Sequence, residues 1–252
     1  MFYTIETPTN ELIVIDGGNP ENAGQVRRVI QEKGNHVSAW ILTHPHSDHI
    51  GAFNEIWPQL GDIQVDCVYA IDMNYENYKA LAQPWDGFEY FEKFLEIVND
   101  DSRLTYLYTG DEWECGGLKF QMLSAYDSEI TDTLTTDLCN DGSMIFKVTN
   151  QEESMLFCSD VGVRMSNEVL NNYKDLLPSD YIQMGHHGNG GLSEEFYMAV
   201  SPKVAFFDAP EWLMNPSENT NGWTTPKNRE LMERLGSQIY YYATAPNSIE
   251  LK

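Results

Sequence analysis

Between Val37 and Trp57 the chain changes character twice. Residues 37–43 (VSAWILT) form a continuous apolar run, HPHSDH follows at once, and IGAFNEIW then takes up a helical pattern. A strand that is apolar on both faces is covered on both sides, which places it inside a largely parallel sheet flanked by helices. Strand, polar loop and helix in that order build a site at a sheet edge, and the segment restricts the chain to α/β architectures.

The remaining segments agree with that class. Residues 2–6 and 12–16 read as strands joined at 8–11. Asn19 as N-cap, Pro20 at the first helical position, apolar Val26, Val29 and Ile30, and Gly34 beyond the end describe a helix of about three turns. Residues 65–71 predict another strand. Residues 74–101 predict two helices broken at Pro84 to Gly87 and carry Tyr75, Tyr78, Trp85, Phe88, Tyr90, Phe91 and Phe94. At helical spacing such rings belong with the core; the alternative is a lid hinged at Pro84 and Gly87. Strands are expected near 104–108 and 118–124, a polar irregular stretch over 127–142, and a hairpin of 143–149 with 154–159. A helix over 166–177, a strand over 181–184, the loop GHHGNGG and a helix over 193–200 follow. A last helix bracketed by Thr225, Pro226 and Gly236 precedes closing strands in IYYYATA and SIELK. No repeat, low-complexity tract or linker divides the chain, so 1–252 is expected to be one four-layer α/β domain.

Hydrophobic residues make up 42% of the chain, ample for a core. Acidic side chains number 39 against 15 basic, a formal net charge of −24. Such a chain repels nucleic-acid phosphates and anionic lipid, so general nucleic-acid binding and membrane partners are disfavoured. No apolar run reaches the roughly 18 to 20 residues that span a bilayer, and Met1 leads into FYTIET without a basic-then-apolar leader. The expectation is a soluble protein, cytoplasmic by default and extracytoplasmic if an upstream signal has been removed. Cys67, Cys115, Cys139 and Cys158 lack CxxC spacing and read as reduced, mostly buried thiols.

Six histidines occur, and His44, His46, His49, His186 and His187 fall in two short polar loops, each directly after an expected buried strand. Extended backbone puts His44 and His46 on one side, and the turn that follows aims Asp48 and His49 at a second position. Imidazole nitrogen and carboxylate oxygen suit Zn²⁺, Mn²⁺ or Fe, and two such ions about 3.5 to 4 Å apart can share one hydroxide. A polar turn capping a helix through Asp48 is the plain alternative, outweighed by four ligand-type side chains in one short loop.

HxHxDH is the signature of the metallo-β-lactamase superfamily, which the rest of the chain resembles in order. Asp16 in VIDGG resembles the early aspartate that supports the metal loop. Asp160 in LFCSDVG resembles the carboxylate that bridges two ions, and GHHG at 185–188 resembles the final histidine motif. More narrowly, NDGSMIFKV, MLFCSD, YIQMGHHG and SPKVAFF resemble the hydrolase domain of the DNA-uptake competence protein ComEC and its free-standing relatives. The resemblance covers nearly the whole chain and implies a four-layer αββα sandwich, with a further strand usual ahead of Phe2. It implies that His44 and His46 hold a first ion, and that Asp48, His49 and His187 hold a second with Asp160 between them. His187 is preferred because a glycine follows it directly, which leaves His186 for the substrate. Asp48 and His186 are accordingly the expected catalytic residues.

Two departures bear on the chemistry. Many members supply a third histidine to the first ion from mid-chain, whereas here Cys139, Asn140 and Asp141 stand ahead of the Ser143 strand. Either Asp141 or Asn140 substitutes as an oxygen ligand, or the first site is weak or empty; a tight second site and a looser first are expected. Asn189 stands where the relatives carry serine. The incomplete histidine set speaks against antibiotic and thioester hydrolysis, and histidine rather than glutamate at 46 against di-iron oxygen reduction. Phosphodiester cleavage remains, with a metal-activated hydroxide attacking phosphorus in line. One or two Zn²⁺ ions, with Mn²⁺ or Fe as alternatives, are the expected cofactor.

The resemblance implies a DNA substrate. The acidic balance favours a small or cationic one such as a phosphorylcholine ester, whose quaternary ammonium the rings of 74–101 could hold. A binding protein that keeps the fold without turnover is the alternative raised by the absent histidine. Arg27 and Arg28 read as solvated, Lys147 and Arg164 as groups that could reach a phosphate, and Cys158 as packed beside the site.

Overall fold

In a computed structural model, which describes residues 1–216, 222–242 and 247–250, most of the apolar runs form strands. These are β1 (Phe2–Glu6), β2 (Leu12–Asp16), β3 (His36–Val37), β4 (Ala39–Ile41), β5 (Gln64–Val65), β6 (Val68–Ile71) and β7 (Leu104–Leu107). They continue with β8 (Glu112–Cys115), β9 (Leu118–Ser124), β10 (Ile145–Thr149), β11 (Ser154–Phe157), β12 (Tyr181–Gln183), β13 (Val204–Phe207) and β14 (Gln238–Tyr241). The helices are α1 (Ala23–Glu32), α2 (Ser47–Ile56), α3 (Tyr75–Leu81), α4 (Phe88–Ile97), α5 (Thr131–Leu134), α6 (Leu138–Asp141), α7 (Ser166–Tyr173), α8 (Glu194–Val200), α9 (Glu211–Met214) and α10 (Thr225–Leu235). None among the described residues is long and apolar enough to cross a membrane.

One sheet runs β1-β2-β4-β6-β7, antiparallel only between β1 and β2. The other runs β14-β13-β12-β11-β10-β9-β8, parallel from β14 to β11 and antiparallel beyond. Alternation along the strands decides which side chains lie between the sheets. On β10 and β11, Phe146, Val148, Met155 and Phe157 join the large core that also holds Ile13, Trp40, Phe53 and α1's Val26 and Ile30. Ile145 and Leu156 face the other way, into a second core with Val169, Phe196 and Met232 from α7, α8 and α10. The order of layers is helix, sheet, sheet, helix: the αββα sandwich expected from the sequence.

The structure departs from expectation in several places. The 37–43 run divides into β3, which pairs with β5 in a small separate sheet, and β4, which pairs with β2 and β6. The 65–71 run divides likewise, since β5 leaves the main sheet to pair with β3. β8 was not expected, being an edge strand with alternately exposed residues and a polar sequence. The 127–142 stretch holds the single-turn helices α5 and α6. Of the closing strands, IYYYATA keeps β14 up to Tyr241, and 243–246 lie outside the described residues; in SIELK, 248–250 form no strand and 251–252 lie outside. Arg27 also differs from its solvated expectation: its guanidinium donates to the Ile56, Gln59 and Leu60 carbonyls at and just past the C-terminus of α2, where unpaired carbonyls attract a cation.

The two sheets present strand ends that carry every histidine loop. Asp16 closes β2, HPHSDH follows β4, Asp160 follows β11 and GHHG follows β12. Carboxyl ends of parallel strands are where open α/β sheets receive ligands.

Candidate metal centre

Asp16 ends β2 in a left-handed conformation, φ +55, with its side chain fully buried. Its Oδ1 accepts the Thr43 N–H at 2.8 Å, and its Oδ2 accepts the Thr43 hydroxyl at 2.8 Å and meets His49 Nδ1 at 2.7 Å. A buried carboxylate that accepts from Nδ1–H fixes the imidazole so that Nε2 presents its lone pair to a cation. His46 is the N-cap of α2, whose first turn carries Asp48 and His49. Gly51 allows that helix to lie against Pro20, because a Cβ there would stand 2.4 Å from Pro20 Cδ.

Gln183, fully buried on β12, shapes the opposite wall. Its Oε1 accepts from the Cys158 and Ser159 N–H groups at 2.9 and 2.7 Å, and the Ser159 hydroxyl donates to Met144 O at 2.7 Å. That turn presents Asp160. In GHHG both His186 and His187 are left-handed, φ +48 and +55, a conformation that costs a non-glycine residue about 1–3 kcal/mol and persists where the surroundings enforce it. Gly188 is held by sterics: a Cβ would come within 2.4 Å of Phe207.

These walls bring Asp48, His49, Asp160 and His187 to one point. His187 Nε2 lies 3.1 Å from Asp48 Oδ2 and 3.2 Å from Asp160 Oδ2; His49 Nε2 lies 3.4 Å from Asp160 Oδ2 and 3.8 Å from Asp48 Oδ2. Two donors held at roughly 2.05 Å around a tetrahedral cation stand about 3.3 Å apart. His49 Nε2 and Asp160 Oδ1 are buried without a hydrogen-bond partner among the described residues, and such an orphan costs about 1–3 kcal/mol. Two imidazoles and two carboxylates with unsatisfied atoms at coordination spacing fit a divalent cation.

The charges are set for the same purpose. Burial would raise the Asp160 carboxyl, but His187 and His49 outweigh it and hold it well below the usual carboxylate range. Burial would lower His187, but Asp160 and Asp48 hold it well above the ordinary histidine value. His44 goes the other way: burial, with His49 and His46 adding to it, holds its pKa well down, so its ring is neutral and ready to ligate.

A second group lies beside the first. His44 Nε2 and His46 Nδ1 face each other at 3.2 Å, and the Cys139 Sγ on α6 is within 4.8 Å of a ring nitrogen of each histidine. Of the expected oxygen donors, Asn140 lines the cavity with its Oδ1 buried and unpartnered among the described residues. Asp141 Oδ1 accepts the Gly162 N–H at 2.9 Å, and the Asn140 amide donates to Asp137 Oδ2 at 3.0 Å. Asp86 escaped the sequence reading. It is buried, its Oδ2 accepts the Gln83 N–H at 2.8 Å, and its Oδ1 is 3.4 Å from His46 Nε2. In the sequence, PWDG signals only a turn.

A cavity of about 200 Å³ opens over both groups, lined by His46, Asp48, Asp86, Asp160, His186, His187 and Trp85 among others. Trp85 is 71% exposed, whereas Tyr78, Phe91 and Phe94 from the same insert belong to the core. Of the two cations considered for phosphate, Lys147 donates to the Leu176 and Pro178 carbonyls and Arg164 to Thr136 Oγ1; neither lines the cavity. Cys158 packs in the outer core.

An αββα sandwich whose histidine loops meet at the strand ends defines a class of protein, and the chain belongs to the metallo-β-lactamase superfamily, whose family model matches residues 2–205. Among curated proteins it is 22% identical over 211 residues to the uncharacterized protein YcaI of Escherichia coli (strain K12), covering 82% of this chain and 22% of that one. The chain thus spans about a fifth of that relative's length. Zn(2+)-bound PqqB from Methylobacterium extorquens superposes with a TM-score of 0.56 at 11% identity, covering 98% of this chain and 86% of that one. A diphosphatase from the PhnP family superposes at 0.52 with 14% identity, covering 96% and 81%. At these identities the likeness is one of fold.

Proposed function

We propose that the protein is a metal-dependent hydrolase that cleaves small phosphodiesters. The observation that carries this reading is the convergence of Asp48, His49, Asp160 and His187, whose ligand atoms lie within 4.8 Å of one another, with buried atoms left unpaired. A divalent cation bound there supplies a Lewis acid and, at neutral pH, a nucleophile for attack on phosphorus. Asp48, His49, Asp160 and His187 would hold it. Asp16 and Thr43 keep His49 aimed inward. His186 lines the cavity next to His187 and is placed to hydrogen-bond a phosphoryl or leaving oxygen.

The cavity of about 200 Å³ suits a small ester rather than a duplex. Its wall carries Asp48, Asp86, Asp137 and Asp160, and the whole chain is acidic, so a neutral or cationic alcohol portion is favoured over a polyanion. Trp85 offers an exposed ring face for a cationic group. The diphosphatase of similar fold supports phosphorus chemistry on this scaffold. The likeness to the competence hydrolase favours DNA as a second reading, and the charge weighs against it.

Elemental analysis followed by assay of bis(p-nitrophenyl) phosphate, p-nitrophenyl phosphorylcholine, nitrocefin and single-stranded DNA tests this. Turnover of a small diester with Zn²⁺ or Mn²⁺, and not of nitrocefin, is expected. No turnover of any ester with both metals supplied would leave a binding protein on this fold.

A further inference from the structure

The histidine pair His44 and His46 is better organised than its missing third histidine would suggest. Two nitrogens on a tetrahedral cation stand about 3.3 Å apart; His44 Nε2 and His46 Nδ1 stand 3.2 Å apart. The other nitrogen of each ring already faces an oxygen: Thr43 Oγ1 at 3.2 Å from His44 Nδ1, and Asp86 Oδ1 at 3.4 Å from His46 Nε2. An imidazole that ligates a metal characteristically has its second nitrogen on a carboxylate, hydroxyl or carbonyl. The facing nitrogens are therefore the pair left for a cation.

The third donor follows by position. Asp141 accepts the Gly162 N–H and does not gather with His44 and His46. Asn140 donates its amide nitrogen to Asp137 and keeps a buried Oδ1, unpartnered among the described residues, a neutral and weaker rival donor. Cys139 is fully buried, unpaired in any disulfide, and has its Sγ within 4.8 Å of a ring nitrogen of each histidine. We propose that the Cys139 thiolate completes the first cation site with His44 and His46, and that Asp86, delivered by the helical insert, is the positioning residue that orients His46. This rests on the metal-centre reading above. On ligation the thiol gives up its proton to solvent and its sulfur lone pair to the cation.

The two sites then differ in kind. Thiolate with two imidazoles selects thiophilic ions such as Zn²⁺, Cd²⁺ or Co²⁺, whereas the group with two carboxylates also accepts Mn²⁺. The insert becomes part of the site, because its turn at Gln83 to Gly87 fixes Asp86 through the Gln83 N–H.

Titration of the metal-free full chain with Co²⁺, followed by absorption, reads this directly. Two ions per chain are expected, one of them bringing a sulfur-to-cobalt charge-transfer band in the near ultraviolet, while Mn²⁺ binds to one site only. Cys139→Ser is expected to lose that band and one ion, and Cys67→Ser, a half-buried thiol away from the site, to keep both. Asp86→Asn is expected to weaken the first site about 10- to 100-fold, with the band at saturation and the affinity of the second site unchanged. Should Cys139→Ser fail to fold, X-ray absorption of the Cd²⁺-loaded wild type reports sulfur in the coordination shell. Cobalt bound without the band, or cadmium without sulfur, overturns the proposal. A thiolate band without ester turnover overturns the hydrolase reading alone; turnover without the band overturns this inference alone.

Discussion

His186 and His187 share a left-handed backbone, yet their rings meet different surroundings. His187 Nε2 meets the two aspartates, whereas His186 lines the cavity. His187→Ala is expected to lose one equivalent of metal by elemental analysis. His186→Ala is expected to keep its metal and lower kcat by roughly 100-fold; equal metal loss in both variants would contradict that division. Protonation adds a second residue-scale expectation. His187 is raised in the metal-free fold, so its ion pair stabilises fully below the ordinary value of about 6.5 and the benefit is lost as pH rises through the raised one. Asp160 is lowered, so its share is present above about 3.9 and lost as pH falls through the lowered value. A cation must displace the His187 proton, so affinity rises about tenfold per pH unit for each proton released, until the raised pKa is passed. Calorimetric titration across pH 6 to 9 should show tighter binding at higher pH, and a flat profile would contradict the coupling.

At the scale of elements, much of the sandwich could be read from the chain because alternation and apolar runs are local signals. The ELIVID strand, the capped helix after Pro20 and the Asn150 hairpin all stand where their residues place them. What escaped depends on distant contacts. β8 is a polar edge strand with no apolar stripe, and the division of 37–43 follows from β3 pairing with the distant β5. The histidine loops were legible because ligand-type side chains cluster without a local structural reason. Asp86 and Cys139 were not, because a PWDG turn and an isolated cysteine gain meaning only when the turn between α3 and α4 and the helix α6 come up to His46. α2 must lie close to Pro20 to aim its first turn, and Gly51 permits it. Gly51→Ala is expected to destabilise by about 1–3 kcal/mol through overpacking, read as a fall of several degrees in Tm together with weaker metal binding. An unchanged Tm would show that the helix can shift at no cost.

For the whole molecule, the net charge of −24 surrounds a centre that calls for cations. Stripping metal with a chelator should lower Tm, and restoring a cation at 100 times its Kd should return about 2.7 kcal/mol. Anionic esters approach against the field. Raising ionic strength shortens its reach to about 10 Å at 0.1 M, so KM for bis(p-nitrophenyl) phosphate should fall with salt while that for zwitterionic p-nitrophenyl phosphorylcholine should hardly move. The opposite order would place a local cationic site at the cavity that the described residues do not show. Crystals grown with Zn²⁺ and measured at the zinc absorption edge reach furthest. An anomalous peak within about 2.0–2.2 Å of His49 Nε2, His187 Nε2 and oxygens of Asp48 and Asp160 is expected; at saturating zinc, density elsewhere with those four side chains bonded only to one another would contradict the proposed centre.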